Sequence, residues 1–253
     1  MEDYKKYKNK ILEREKYRHK EKKIERERER ERQRDREKER QIEKIIIIKR
    51  KLLNLIYFIQ DNYKNKYIHF SNKELSIDIL ENKINNENSY HTSNVYMNPY
   101  GIWISCGSNW IEWILKNKLY KSKWANVKYV YEIKINKNNI IKIKNIDELI
   151  KFHNKYAKYN NENGFKINWT LVKKDYDGII ICPYLGEKIW KNIDDRFFYI
   201  NDEINKYIRK TLKKNLIKYP EFYLEWYRHW ETSTGVIWKM SSIKNINLIK
   251  SYI

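Results

Sequence analysis

Cysteine, proline and glycine are all scarce in this chain of 253 residues, with two, three and six copies. The two cysteines, Cys106 and Cys182, are too few for a disulfide framework or a thiolate-built zinc site, and no CxxC pair occurs. No metal is expected, and thiols without a framework fit a reducing compartment, cytoplasm or nucleus. Long apolar runs are missing too. Ile45–Ile48 is only four residues between charges, and the KRKLLNLIYFI stretch that follows falls short of the roughly 20 residues a membrane span needs. The N-terminus is charged throughout, so no secretory signal is read there, and a soluble monomer is expected. No glycine precedes Gly101. A phosphate loop, a zincin helix, a nucleophile elbow and a glycine-rich dinucleotide fingerprint are all absent, which removes the commonest enzyme classes. Cys106 stands next to Gly107 with no adjacent histidine, so it is not read as a nucleophile.

What is present is unevenly spread. All nine tryptophans lie between Trp103 and Trp238, while residues 1–50 carry 21 Lys and Arg against 13 Asp and Glu. The net charge is +21, and residues 51–253 remain basic alone, with 33 cationic against 20 acidic side chains. A basic domain suits nucleic acid or an anionic cofactor. The abundance of Lys, Asn, Ile and Tyr also matches A+T-rich codons, so composition alone can supply many of these charges.

Residues 1–41 are expected to form a charged, solvent-exposed helix or a disordered arm. The ERERERERQRDREKER run mixes opposite-sign pairs at i,i+3 with like-sign pairs at i,i+4, and no a/d apolar seam makes a coiled coil. An RNA-contacting arm or a nuclear targeting signal is the functional alternative. Residues 42–253 are assigned to a Trp-rich α+β domain, opening with a docking helix over 42–63 whose broad apolar face is Ile45, Ile46, Leu52, Leu53, Leu55, Ile56, Phe58 and Ile59. Strands are expected at Lys66–Ser71, Gly101–Ser105, Val127–Ile135, Ile140–Ile143, a segment ending at Cys182, and Gly235–Trp238. Helices are expected at Lys73–Leu80, after Cys106-Gly107-Ser108 with Ser108 and Asn109 as caps, at Ile146–Lys158 behind an Asn145 cap, and at Asp202–Ile217. Residues 84–91 read as a polar loop, Ile167–Val172 as a lead-in to the Cys182 strand, and Ser241–Ile249 as a closing segment.

Several pieces fall in a suggestive order. They are Tyr67-Ile68-His69-Phe70-Ser71, then Gly101-Ile102-Trp103-Ile104-Ser105 with Trp110 and Trp113 behind it, then Tyr176-Asp177-Gly178-Ile179-Ile180, and last Gly235-Val236-Ile237-Trp238 with its tail to Lys244. The order resembles the ADP-ribosyltransferase-like superfamily of the diphtheria-toxin type, whose members carry a first-strand histidine, a "GIYFS" strand with an aromatic helix, "YDGVI" and a closing "EYVVF" strand. His69 precedes Gly101 by 32 positions, and the resemblance covers Tyr67 to Lys244. Segments of the type "GLW-S…W..W" are also similar to uncharacterised proteins of large DNA viruses and protists.

The resemblance implies a domain of two small sheets with NAD, or an ADP-ribose-type ligand, in the cleft between them. His69 would bond the nicotinamide ribose with support from Ser71, and Trp110 or Trp113 would stack on the nicotinamide. Trp103, Ser105 and Thr234 would complete the ligand wall. The family's carboxylate, which stabilises the cationic centre as nicotinamide leaves, aligns with Thr234; Glu231, three residues earlier, would reach the cleft only through a bulge or turn. The domain is therefore read as active or degenerate, with His69 and Glu231 as the candidate catalytic pair.

The plainer readings stand beside these. His69 can be a core or rim histidine, Trp103, Trp110 and Trp113 can be core, and Asp177-Gly178 can be a turn. Two other functions fit the chain. One is an RNA-binding module using Lys118, Lys121, Lys123, Lys173, Lys174, Lys213 and Lys214 with stacking aromatics. The other is a non-enzymatic protein docking an acidic or other partner through its aromatic surface.

Overall fold

The computed structural model describes residues 2–76, 78–81, 99–160, 164–194, 197–211, 223–228 and 230–252. The expected loop at 84–91, the end of the expected helix beyond residue 211, and Lys213 and Lys214 lie outside them. The chain divides into two compact units, Met1–Lys51 and Leu52–Ile253.

One helix, α1 (Glu2–Tyr63), supplies the whole of the first unit and the opening of the second. No glycine or proline interrupts it, and Lys, Arg, Glu and Gln lose little rotamer freedom in a helix. Every described charged side chain before Lys51 is exposed, and Ile42, Ile46 and Ile47 are 57%, 51% and 66% exposed. The second unit begins where the apolar face is first covered. Leu52, Leu55 and Ile59 are fully buried and Ile56 nearly so, each contributing about 1.5–3 kcal/mol of burial. No described helix is long and apolar enough to cross a membrane.

The second unit is α+β. Seven of its strands are β1 (Tyr67–Ser71), β2 (Ile102–Cys106), β3 (Tyr129–Ile135), β4 (Ile140–Ile143), β7 (Gly178–Ile181), β10 (Thr234–Ile237) and β11 (Ile243–Ser251). They form one mixed sheet in the order β11-β3-β1-β2-β10-β7-β4. Every neighbouring pair is antiparallel except β4 and β7. Two hairpins stand apart, β5 (Ala157–Asn160) with β6 (Gly164–Ile167), and β8 (Trp190–Asp194) with β9 (Phe197–Ile200). The helices are α2 (Asn109–Lys116), α3 (Ile146–Tyr156), α4 (Trp169–Asp175), α5 (Gly186–Ile189), α6 (Asp202–Thr211) and α7 (Glu225–Arg228).

The period-two pattern splits the core into two chemically different layers. Ile102, Ile104, Tyr131, Ile133, Ile135, Ile180 and Ile237 make an aliphatic layer on one face. The other face carries Trp103, Val236, Ile179 and Ile181 under Trp169, Trp226, Trp230 and Trp238. The indoles meet edge to face or offset, as with Trp226 and Trp230 at 6.3 Å and 83°, the arrangement ring quadrupoles favour.

Several expectations change in detail. The two small sheets are joined into one, and the arm and docking helix are continuous. Among the described residues of Lys73–Leu80 only 78–80 are helical, because the Ser71 hydroxyl bonds both the N–H and the C=O of Lys73 and holds a turn there. The Asn145 cap is real, its side chain accepting from Glu148 N–H, but α3 ends at Tyr156 and Ala157 enters a hairpin. The Ile167–Val172 lead-in is instead β6 followed by α4, which Asn168 caps by accepting from Leu171 N–H. Asp177 is a bend with a structural role, and Gly178, expected in a turn, already opens β7. Asp177 meets Lys239 Nζ at 2.7 Å and accepts from Ser242 Oγ at 2.8 Å. Burial would raise its pKa, but these partners and Asn139 outweigh burial and hold it below the usual carboxylate range.

Candidate functional site

The sheet nearly parts between β1 and β2. Strand β1 keeps five registered pairs with β3, from Tyr67↔Ile133 to Ser71↔Tyr129, but only two with β2, Tyr67↔Cys106 and Ile68↔Ser105. Beyond Ile68 the two strands diverge. The His69 side chain bridges the opening, with Nδ1 2.6 Å from the carbonyl oxygen of Trp103. A carbonyl can only accept, so Nδ1 carries the proton, and in the neutral ring Nε2 is the acceptor nitrogen.

A cavity of about 300 Å³ lies along this parting. Its walls come from Phe70 and Ser71 on β1, Trp103 and Ser105 on β2, Thr234 at the start of β10, and Trp110, Lys123 and Trp124 across the mouth. Six of the eight residues expected to form the site, His69, Ser71, Trp103, Ser105, Trp110 and Thr234, therefore line one cavity. Register explains part of the convergence, since Thr234 pairs with Ser105, and Ser105 pairs with Ile68 beside His69.

Local chemistry fixes the rest. Gly107 has φ +59, a conformation that favours glycine, and a Cβ there would lie 2.8 Å from the Lys64 carbonyl oxygen. The chain turns there into α2. Ser108 occupies the cap position, but its hydroxyl donates to Glu112 at 2.5 Å instead of capping. Asn109 likewise turns back, its side-chain amide donating to the Cys106 carbonyl. The orphan Trp110 N–H is met by Ser105 Oγ at 3.0 Å, which ties the aromatic helix to the cavity floor.

Ile111 and Ile114 are the residues of α2 that face the core. Trp110 and Trp113 lie on the adjacent stripe and are only half-buried, so the reading of these two as plain core is revised, whereas Trp103, also half-buried, packs on the aromatic core 5.2 Å from Trp230. Trp110 and Trp113 stack at 5.0 Å and 30°, and Trp124 meets both. Trp113 stands behind Trp110 and outside the cavity lining. Trp124, at 44% exposed, was not singled out by the sequence. Its one local signal is an indole inside a lysine-rich loop.

Glu231 is not among the residues that line the cavity with His69. It has φ +56 at the centre of a three-residue turn closed by Thr232 N–H to the Trp230 carbonyl at 2.7 Å. The turn needed to redirect it therefore exists, yet Glu231 does not line the cavity. By area the residue is exposed, and partial desolvation raises its carboxyl pKa. It lies in the field of Tyr184, whose phenol burial, then Glu231 and Glu187, push up to about 12. Among the described residues the cavity wall has one cation, Lys123, and no carboxylate. Such a pocket can hold a flat ring and an anionic group. It holds no negative charge to place against a developing cation.

No protein-family model, curated protein or solved structure matches the chain.

Proposed function

We propose that the second unit is a nucleotide-binding domain of ADP-ribosyltransferase-like layout, taking NAD or an ADP-ribose-type ligand in the β1/β2 parting and binding it without transferring it. The observation that carries this reading is the meeting of His69, Ser71, Trp103, Ser105, Trp110 and Thr234 around one cavity from four separate segments of chain. Its volume is at the low end of the 300–1,000 Å³ range of ligand pockets, room for one ring and its sugar rather than a whole dinucleotide. The Trp110 face offers stacking, and Lys123 supplies a counter-charge for phosphate. Thr234 in place of a carboxylate, with Glu231 outside the cavity wall, supports binding over transfer.

Calorimetric titration with NAD and with ADP-ribose tests the reading. Saturable heat is expected, with affinity lowered about tenfold in Trp110→Ala and in His69→Ala. No heat at millimolar ligand from a folded sample overturns it. Release of nicotinamide from NAD would keep the ligand and overturn the absence of transfer.

A further inference from the structure

The segment that closes the cavity mouth has an outer side with a chemistry of its own. From Trp113 to Tyr131 the chain contains five lysines, Lys116, Lys118, Lys121, Lys123 and Lys128, and no acidic residue. All five are exposed. Lys116 is paired with Glu187 at 2.9 Å, whereas among the described residues Lys118, Lys121, Lys123 and Lys128 meet no carboxylate.

This loop is built. Lys118 N–H bonds the Leu115 carbonyl at 3.2 Å and Leu119 N–H bonds that of Ile114 at 3.0 Å, the paired bonds of a Schellman close to α2. Lys118 takes the left-handed position with φ +54, where glycine is usual. Ser122 then donates from its hydroxyl to Leu119, and a 3₁₀ turn (Lys123–Ala125) presents Trp124 between Lys123 and the half-buried pair Trp110 and Trp113. The segment that carries these uncompensated cations thus also holds a tryptophan that is 44% exposed and fixed by two other rings.

We infer that this surface binds single-stranded nucleic acid, with an unpaired base stacked on Trp124 and the backbone phosphates met by Lys118, Lys121, Lys123 and Lys128. Two features of the surface point to this class. The uncompensated cations match a polyanion. A fixed, partly exposed indole offers a π-face to any unpaired base, which a duplex keeps inside its stack. The surface stands whether or not the cavity takes NAD, although Trp124 and Lys123 belong to both.

The test is fluorescence anisotropy of the full chain with labelled oligouridine and oligothymidine, a duplex of equal length, and polyglutamate as competitor, over a range of salt. Single strands are expected to bind more tightly than the duplex. Trp124→Ala should weaken them by roughly 5- to 150-fold. The double variant Lys118→Gln/Lys121→Gln, which leaves the cavity wall intact, should flatten the salt slope by about 1.4, at about 0.7 for each phosphate no longer neutralised. A preference between the RNA and the DNA strand fits the inference and identifies the source. Unchanged affinity in folded Trp124→Ala, or equal binding of duplex and single strand, overturns it. Tighter binding of polyglutamate than of either strand assigns the surface to an acidic protein instead. Heat with NAD is read separately, so failure of the cavity ligand and failure of the strand remain distinguishable.

Discussion

The two units use cationic side chains to opposite effect. In the first, Arg26, Arg28, Arg30 and Arg32 alternate with Glu25, Glu27, Glu29 and Glu31, so each charge has opposite and like neighbours within a turn. In the second, the lysines between Trp113 and Tyr131 have no acidic residue among them. The unit with the denser charge is thus the one with the more balanced local field. Net charge alone says little about where an anion will bind; the spacing of the opposite sign says more.

The sharpest way to break the comparison is through stability. Leu55 is fully buried within the second unit, while Ile24, at 41% exposed, lies in the first. Leu55→Ala should cost about 2–5 kcal/mol in chemical denaturation. Ile24→Ala should stay within about 0.5 kcal/mol. Equal losses would mean that the division near Leu52 has no energetic content.

Much of the second unit was legible because local physics agreed with the final structure. Strand β4 and the Asn145 cap were readable from short-range signals. So was the alternation of Tyr129, Tyr131, Ile133 and Ile135, since each depends on neighbours a few positions away. The hairpins β5–β6 and β8–β9 were not. Ala157-Lys158-Tyr159-Asn160 alternates for only four residues directly after α3, and Trp190-Lys191-Asn192-Ile193-Asp194 has no clean alternation, so neither pairing is announced locally. The start of the compact unit was also hidden, because Ile45–Ile48 and Leu52–Ile59 have similar apolar content and only tertiary packing distinguishes them.

The candidate site divides in the same way. His69, Ser71, Ser105 and Thr234 were reachable through motif order, and the cavity does gather them. Trp124 was not, because it enters through a loop that no strand or helix pattern announces. That Glu231 stays out of the cavity wall was also unreadable. The sequence shows a carboxylate three residues before β10, but the direction of the turn at Glu231 is set by where Trp230 and Thr232 are anchored.

Acid should sharpen the contrast next. His153 is 1% exposed, accepts from Trp226 Nε1 at 3.1 Å, and burial pushes its pKa down to about 3. A folded-state value below the unfolded one means its contribution is complete above about pH 6.5 and declines as pH falls toward 3. At pH 5 the loss should be about 2 kcal/mol. His153→Phe should remove that part of the pH dependence while exacting a constant cost for the orphaned Trp226 N–H. A pH profile between 3 and 6.5 with the same slope in both proteins would rule out this assignment.

The smallest effect probes the unpaired lysines themselves. Lys118 holds φ +54, which for a side-chain-bearing residue costs roughly 1–2 kcal/mol, while glycine enters the same position with a chain-entropy cost of roughly 0.5–1 kcal/mol. Lys118→Gly should therefore raise stability by roughly 0.5–1 kcal/mol in urea denaturation. The same variant should weaken single-strand binding and lower its salt slope by about 0.7. Opposite signs in the two measurements would show a charge kept at a position where backbone geometry favours its removal. A gain in stability with no change in the salt slope would mean that Lys118 closes α2 and does nothing else.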